Sequence, residues 1–398
     1  MSNQKRVHFE NGMNRKVKVA IASSGRFHVL DLARELDRLD YDVSFYSYVP
    51  VRMAEKFGLR RECQKSLFWL FAPLVGLTRY GPRFMSRWVN QILTVLLDHA
   101  ISWWLEPCDV FIGLSGLSVQ CAKKARVKYG AKVLIERGST HILKQQSILR
   151  DILLAGGNSQ QVLDFDVERE MKGYELADLI VVPSINVENS FMGQGVKKEK
   201  LFRNPYGVNL NMFKTLTSPG PVKPNVIFVG TWSYRKGCDL LLEIMKKLPD
   251  IKFTHVGAFG DMELPKLDNF THYDPVKQWE LSRFYEKAHV FVLASREEGL
   301  AMVQAQALAS GLYLVCTDMT GGKDLRELIS DKKRITVAPS GDSKALQKAL
   351  QLKVNEALRS KGRRGLSESD RQKLSWENYG KRYSRKIEEI LIPKSYAN

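Results

Sequence analysis

The chain has 398 residues, 44% hydrophobic and 26% charged, the balance of a soluble globular protein long enough for two ordinary domains. Its 61 lysines and arginines against 43 acids give a net charge of +18, which attracts nucleic acid, an anionic membrane face or phosphorylated substrates without choosing among them. The five cysteines have no CxxC spacing and no nearby histidine pair, which argues against a zinc site or a disulfide framework and makes a reducing cytoplasm the default.

The opening MSNQKRVHFENGMNRK holds no apolar signal core. From Val17, VKVAIASSG predicts a strand. FHVLDLARELDRL then puts Val29, Leu30, Leu32, Ala33 and Leu36 at helical spacing, and YDVSFYSYV returns to a strand, so the three form a right-handed parallel unit. The longest apolar stretches, LFWLFAPLVGL (67–77) and ILTVLLDHAISWWL (92–105), are interrupted by Pro73 and by Asp98 and His99. Each falls short of the roughly 20 apolar residues that a spanning helix needs. The alternation recurs through DVFIGLS (109–115), a helix over 122–128, AKVLIER (131–137), a helix ending in YELAD, and LIVVPS (179–184). Residues 1–215 are therefore expected to form a doubly wound, Rossmann-like α/β domain with a parallel sheet. KTLTSPGPVKPN (214–225), with three prolines and a glycine, reads as a hinge. The pattern then restarts, and residues 216–375 are expected to form a second doubly wound domain. In the closing segment, 376–398, Trp376, Tyr379, Tyr383, Ile387, Ile390 and Leu391 share one face of an amphipathic helix, expected to pack back on the first domain.

In doubly wound sheets ligands bind outside the carboxyl ends of the strands, and in SREEGLAMVQAQALASG (295–311) residues 295–299 take that place. A helix starting near Ala301 leaves the N–H groups of Met302 and Val303 and its positive dipole end for a phosphate. Glu298, just outside, is placed to accept hydrogen bonds from hydroxyls of whatever the phosphate carries. Gln306 can bond a ribose hydroxyl without adding negative charge. The same acids, Glu297 and Glu298, also suit ordinary helix-start charges worth up to about 1 kcal/mol, and the segment alone does not separate the two readings. VGTWSYRKG sets Lys236, with Arg235 beside it, in a glycine-flanked turn from which a cation reaches a diphosphate.

Taken together and in this order, RNPYGVNLNMF (203–213), VGTWSYRKG, REEGLAMVQAQALASG, TDMTGGKDLRELI and SWENYGKRY resemble the retaining glycosyltransferases of family 4 over most of the chain. The resemblance implies the GT-B fold, two Rossmann-like domains facing a cleft, the first binding the acceptor and the second a nucleoside-diphosphate sugar. It implies transfer to a hydroxyl with retention by front-face attack, with no cofactor and no essential metal. The family's two glutamates fall on Glu298, which would contact the donor sugar, and on Gln306, near the ribose, with seven residues between them; glutamine departs from the family's pattern there. Lys236 is in register with the family's diphosphate lysine, while its arginine partner is replaced by Thr231, with Arg235 nearby. Gly299, Met302 and Val303 complete the donor set. In the first lobe, Gly25 of ASSGRFH (22–28) is the expected point of close approach to the donor, and Arg26 and His28 would meet an acidic acceptor or phosphate. ERGSTHI (136–142) would bring Arg137 to the acceptor side and His141 to the reacting sugar. Glu298, His141 and Lys236 are thus the catalytic candidates. DFD (164–166) resembles the metal-binding acids of other transferases but lies on a helical stretch away from these motifs.

Residues 52–87 carry Arg52, Lys56, Arg60, Arg61, Lys65, Arg79, Arg83 and Arg87 against Glu55 and Glu62, interleaved with Phe68, Trp69, Leu70 and Phe71. Such a stretch is expected to dock on an anionic leaflet, leaving a cytoplasmic protein peripheral on the inner membrane face. That suits a glycan or lipid-linked glycan acceptor in cell-surface polysaccharide or glycolipid assembly. Three other readings compete. A catalytically silent, nucleotide-binding transferase fold is suggested by Thr231 and Gln306. An oxidoreductase lacks the GxGxxG after the first strand, and a nucleic-acid-binding protein has the charge but no binding module, so no nucleic acid is expected as a partner.

Overall fold

The computed structural model describes residues 6–8, 14–157, 161–215, 223–360 and 365–392. β1 (Arg6–His8) and β2 (Asn14–Lys16) form a short antiparallel ribbon ahead of two parallel sheets. The first sheet contains β3 (Lys18–Ala22), β4 (Asp42–Ser47), β5 (Gln64–Ser66), β6 (Val110–Leu114), β7 (Lys132–Glu136), β8 (Leu179–Val182) and β9 (Leu201–Arg203). They lie in the order β5-β4-β3-β6-β7-β8-β9. The second contains β10 (Asn225–Val229), β11 (Lys252–Val256), β12 (Phe270–Tyr273), β13 (Val290–Leu293), β14 (Tyr313–Thr317) and β15 (Ile335–Ala338), in the order β12-β11-β10-β13-β14-β15. The central strands are apolar on both faces because helices cover both: Val110, Phe111 and Ile112 of β6, and Val290, Phe291 and Val292 of β13, are all buried. Part of the expected hinge, residues 216–222, lies outside the described residues.

The helix Trp376–Leu391 is capped by Ser375, whose side chain accepts from Asn378 N–H. Its buried face, Trp376, Tyr379, Tyr383 and Ile387, lies on the first-lobe helix His28–Arg38, where the Tyr41 and Ser384 hydroxyls are 2.8 Å apart. The chain thus crosses from the first lobe to the second and returns. The two apolar stretches become the helices Phe68–Tyr80 and Arg83–Trp104, a hairpin joined at Gly81 and Pro82. Among the described residues no helix is long and apolar enough to cross a membrane. Within the basic stretch 52–87, Arg60 is spent on Asp37 at 2.8 Å and Lys65 on Glu106 at 2.9 Å.

Candidate active site between the lobes

The loops at the carboxyl ends of the two sheets meet. Gly299 of the second lobe faces Gly138 of the first so closely that a side chain at 299 would collide with the Gly138 carbonyl. Ser184 Oγ donates to Gly299 O at 2.7 Å, and Ser139 Oγ reaches the Glu297 carboxylate. A second tie lies alongside: Asp324 accepts from Ile185 N–H at 3.0 Å and from Arg203 at 2.8 Å. Burial raises the Asp324 carboxyl to about 6, against the pull of Arg203.

The second lobe's side of the cleft is built by β13, the loop 294–301 and the helix Met302–Ala309. The helix forms from small and apolar residues, Ala305, Ala307, Leu308 and Ala309, that fit between sheet and neighbouring helices. Ala301 stands at its start, and no side chain in the described residues caps it. Glu297 and Glu298 take different posts. Glu297 is buried and accepts from Arg235 at 3.1 Å besides Ser139. Glu298 is ion-paired with Lys236, both side chains mostly covered. Arg296 anchors the loop to Asp239 of the helix Cys238–Lys247 with bonds of 2.6 and 2.7 Å. Gly237 (φ +71°) lets the Lys236 turn lie against Ala294, where a Cβ would strike the Ala294 carbonyl. Burial, with Arg235 beside it, pulls the Lys236 ammonium down to about 7. Gln306 is buried, and its side-chain oxygen finds no hydrogen-bond partner among the described residues.

The first-lobe candidates divide. Arg26 stays exposed, over the Phe57 ring, and reaches Gln278 of the second lobe at 3.1 Å. Gly25 sits in the loop before it, where a Cβ would meet Phe27 and Tyr48 only at ordinary contact distance. His28, expected to meet an acceptor, is instead turned inward to Glu136 at 2.9 Å, its ring tilted against that of Tyr206. Arg137 is likewise corrected from acceptor side to interior: buried, it bonds Glu170 at 2.5 Å, Gln145 at 2.8 Å and the Thr140 carbonyl. His141 caps the helix Ile142–Leu154, its ring accepting from Leu143 N–H at 3.3 Å and enclosed by Tyr174 and Phe191. Burial takes its pKa to about 4, so it stands there as a neutral imidazole. Asp164 and Asp166 occupy the first turn of the exposed start of a helix, Asp164–Leu176. Sequence reasoning missed Glu136, Ser139, Asp324 and Arg203. Glu136, a carboxylate ending the apolar run of β7, was the visible signal.

Two parallel-sheet lobes with loops at the carboxyl ends of their strands meeting across a cleft give a fold also seen in solved structures. Anabaena HepE in complex with UDP and glucose superposes with a TM-score of 0.60 at 12% identity, covering 94% of this chain and 100% of that one. Sucrose-phosphate synthase from Thermosynechococcus elongatus does so with 0.60 at 15% identity, covering 94% and 99%. The fold is GT-B. Within the second GT-B lobe, residues 223–354 match the family described as "Glycosyl transferases group 1". The sulfoquinovosyl transferase SQD2 of Arabidopsis thaliana is 31% identical over 169 residues, 38% of this chain and 33% of that protein. The chain spans less than half the length of the first curated relatives it matches.

Proposed function

We propose that the protein is a glycosyltransferase that moves a sugar from a nucleoside-diphosphate sugar to a hydroxyl of a glycan or lipid-linked acceptor, with retention. The observation that carries this reading is the Lys236–Glu298 pair beside the uncapped start of the helix Met302–Ala309. A cation and free N–H groups suit a diphosphate, and the adjoining carboxylate suits the hydroxyls of the sugar attached to it. Gln306 adds a buried oxygen without a partner, and a ribose hydroxyl would satisfy it. The fold shared with HepE, a protein whose structure holds UDP and glucose, is in keeping with such a donor.

In this mechanism the incoming diphosphate takes Lys236 from Glu298, and Glu298 turns to the sugar. As the anomeric bond breaks, negative charge gathers on the departing phosphate oxygen. Lys236 and the N–H groups of Met302 and Val303 stabilise it as preorganised electrostatics, in the role a divalent cation has elsewhere, so transfer should survive chelation. The acceptor oxygen bonds the anomeric carbon from the face the phosphate leaves, and its proton passes to the leaving oxygen. Arg26 lies on the acceptor side and Gly25 approaches the donor, while Arg137 and His141 hold the loop that carries Ser139. The five free, buried cysteines support a cytoplasmic setting.

The test is a thermal-shift series with UDP, GDP and ADP, followed by NMR of the product's anomeric proton. Stabilisation by one nucleotide and a retained configuration are expected. Stabilisation by none, or by NAD alone, overturns the reading. Gln306 and Thr231 favour one second reading, a nucleotide-binding relative without transfer. Nucleotide binding with no turnover of any donor would select it.

A further inference from the structure

We propose that the hairpin of helices Phe68–Tyr80 and Arg83–Trp104 docks the protein on an anionic lipid bilayer. The helix Arg83–Trp104 is apolar on two sides and satisfies only one of them within the fold. Val89, Leu93, Leu97 and Ile101 are buried, whereas Trp88, Ile92, Leu96 and Trp103, which recur at helical spacing, stand in the open. Trp88 is 71% exposed and Trp103 83%. The preceding helix is apolar nearly throughout yet, among its described side chains, fully buries only Phe71, leaving Trp69 at 87% exposure and Leu70 at 55%. An apolar surface of this extent marks an interaction site, and tryptophan suits the boundary between hydrocarbon and headgroups.

Charge selects the partner. Between residues 63 and 105 the one carboxylate is Asp98, which is fully buried, bonded to Arg169 at 2.7 Å and to the N–H groups of Val119, Gln120 and Cys121. The exposed side of the hairpin therefore carries no acid. Arg87 lies exposed among its apolar residues, and the neighbouring segment adds exposed Arg52, Lys56 and Arg61. Set against Glu55 and Glu62, also exposed there, these cations still leave a net basic field around an acid-free apolar surface, which fits an anionic membrane surface.

Asp98 also fixes where the hairpin points. It caps the start of the helix Val119–Tyr129, which follows the carboxyl end of β6. Further along, Lys124 bonds the Ser102 carbonyl and Tyr129 the Leu105 carbonyl, so the two helices run the same way. The residues from Arg83 to Leu97, about 22 Å of helix, come before that contact, on the side where the strands' carboxyl ends open into the cleft. A docked hairpin would hold the mouth of the cleft near the lipid headgroups. The consequence that the acceptor hydroxyl is carried by a lipid rests on the transferase reading; the docking itself does not.

The experiment is co-sedimentation of the full chain with vesicles of phosphatidylcholine mixed with phosphatidylglycerol, and with phosphatidylcholine alone, at low and high salt. Binding to the mixed vesicles with a blue-shifted tryptophan emission is expected, weakened by salt and far weaker on the neutral vesicles. The variant carrying Trp69→Ser, Trp88→Ser and Trp103→Ser should lose binding by about tenfold or more, with its unfolding midpoint and nucleotide-induced thermal shift unchanged. A parent that ignores the mixed vesicles, or a variant that binds them as well as the parent, overturns the proposal. So does a parent dimer that the substitutions turn into monomer without any vesicle binding, which would make a second copy the occupant. Because the nucleotide shift is read separately, failure on vesicles leaves the donor reading standing.

Discussion

The loops that meet across the cleft, 295–301 in the second lobe and 136–141 in the first, draw on the same side-chain types and use them in opposite ways. In the first lobe each charge has a partner inside its own lobe: Arg137 has Glu170, and Glu136 has His28. In the second, Glu297 is tied up by Arg235 and Ser139, whereas Glu298 pairs with Lys236, with Arg235 4.0 Å away, beside a helix start that no side chain of the described residues caps. A charge with an interior partner holds the fold. A pair that a diphosphate can part is available for chemistry. Residue type alone does not distinguish the two cases; pairing does.

Breaking one pair from each loop should therefore give different losses. Arg137→Met leaves Glu170 buried beside Tyr174 without its cation. It should cost about 3 to 5 kcal/mol of stability in a urea titration and leave the affinity for nucleotide in the surviving folded protein near that of the parent. Glu298→Gln keeps the size of the side chain and removes the charge proposed to orient the sugar. Transfer should fall roughly a hundredfold with little change in the unfolding midpoint, and an equal loss of both would erase the contrast between the loops.

Lys236→Ala is expected to weaken nucleoside-diphosphate binding by roughly 1.5 to 3 kcal/mol in a calorimetric titration, the contribution of a hydrogen bond to a charged group. Unchanged affinity would transfer its role to Arg235. The smallest effect is on pH. With Lys236 drawn down to about 7, its charge is lost as pH rises from there, so nucleotide affinity should decline toward pH 9 with proton uptake on binding. Stability without nucleotide should move the opposite way. Between about 7 and the ordinary lysine value the unfolded chain holds a proton that the folded one does not, so stability should rise with pH through that window.

The long apolar strands and the two-lobe organisation were legible because central strands of a parallel sheet are buried on both faces and leave unbroken hydrophobic runs. The edge strands β5 (QKS) and β9 (LFR), three residues each, are too short to give such a signal. At the site, the second-lobe loop 295–301 is one contiguous stretch with Lys236 in a turn of its own, so its residues could be read together. The first-lobe pairs were not legible. His28 and Glu136 are 108 residues apart and Arg137 and Glu170 are 33 apart, and nothing local announces that each cancels the other. Gly299 shows a related limit: the resemblance places it in the donor set, while in the structure its lack of a side chain lets the first lobe approach. The exposed strip of the helix Arg83–Trp104 was hidden by the apolar residues of its buried side, which lie between its members in sequence.

The chain passes between the lobes twice, and the two passages run side by side: Val208 N–H bonds the Leu374 carbonyl at 2.8 Å, and Val208 is bridged to Ser375. Two adjacent covalent passages act like the pins of a door. They resist sliding and separation and leave rotation about one line as the easy movement, so opening should be widest far from Val208 and least beside it. The bonds between Ser184 and Gly299 and between Ile185 and Asp324 would then serve as the latch, and the rate of product release would be set by how often that latch lets go.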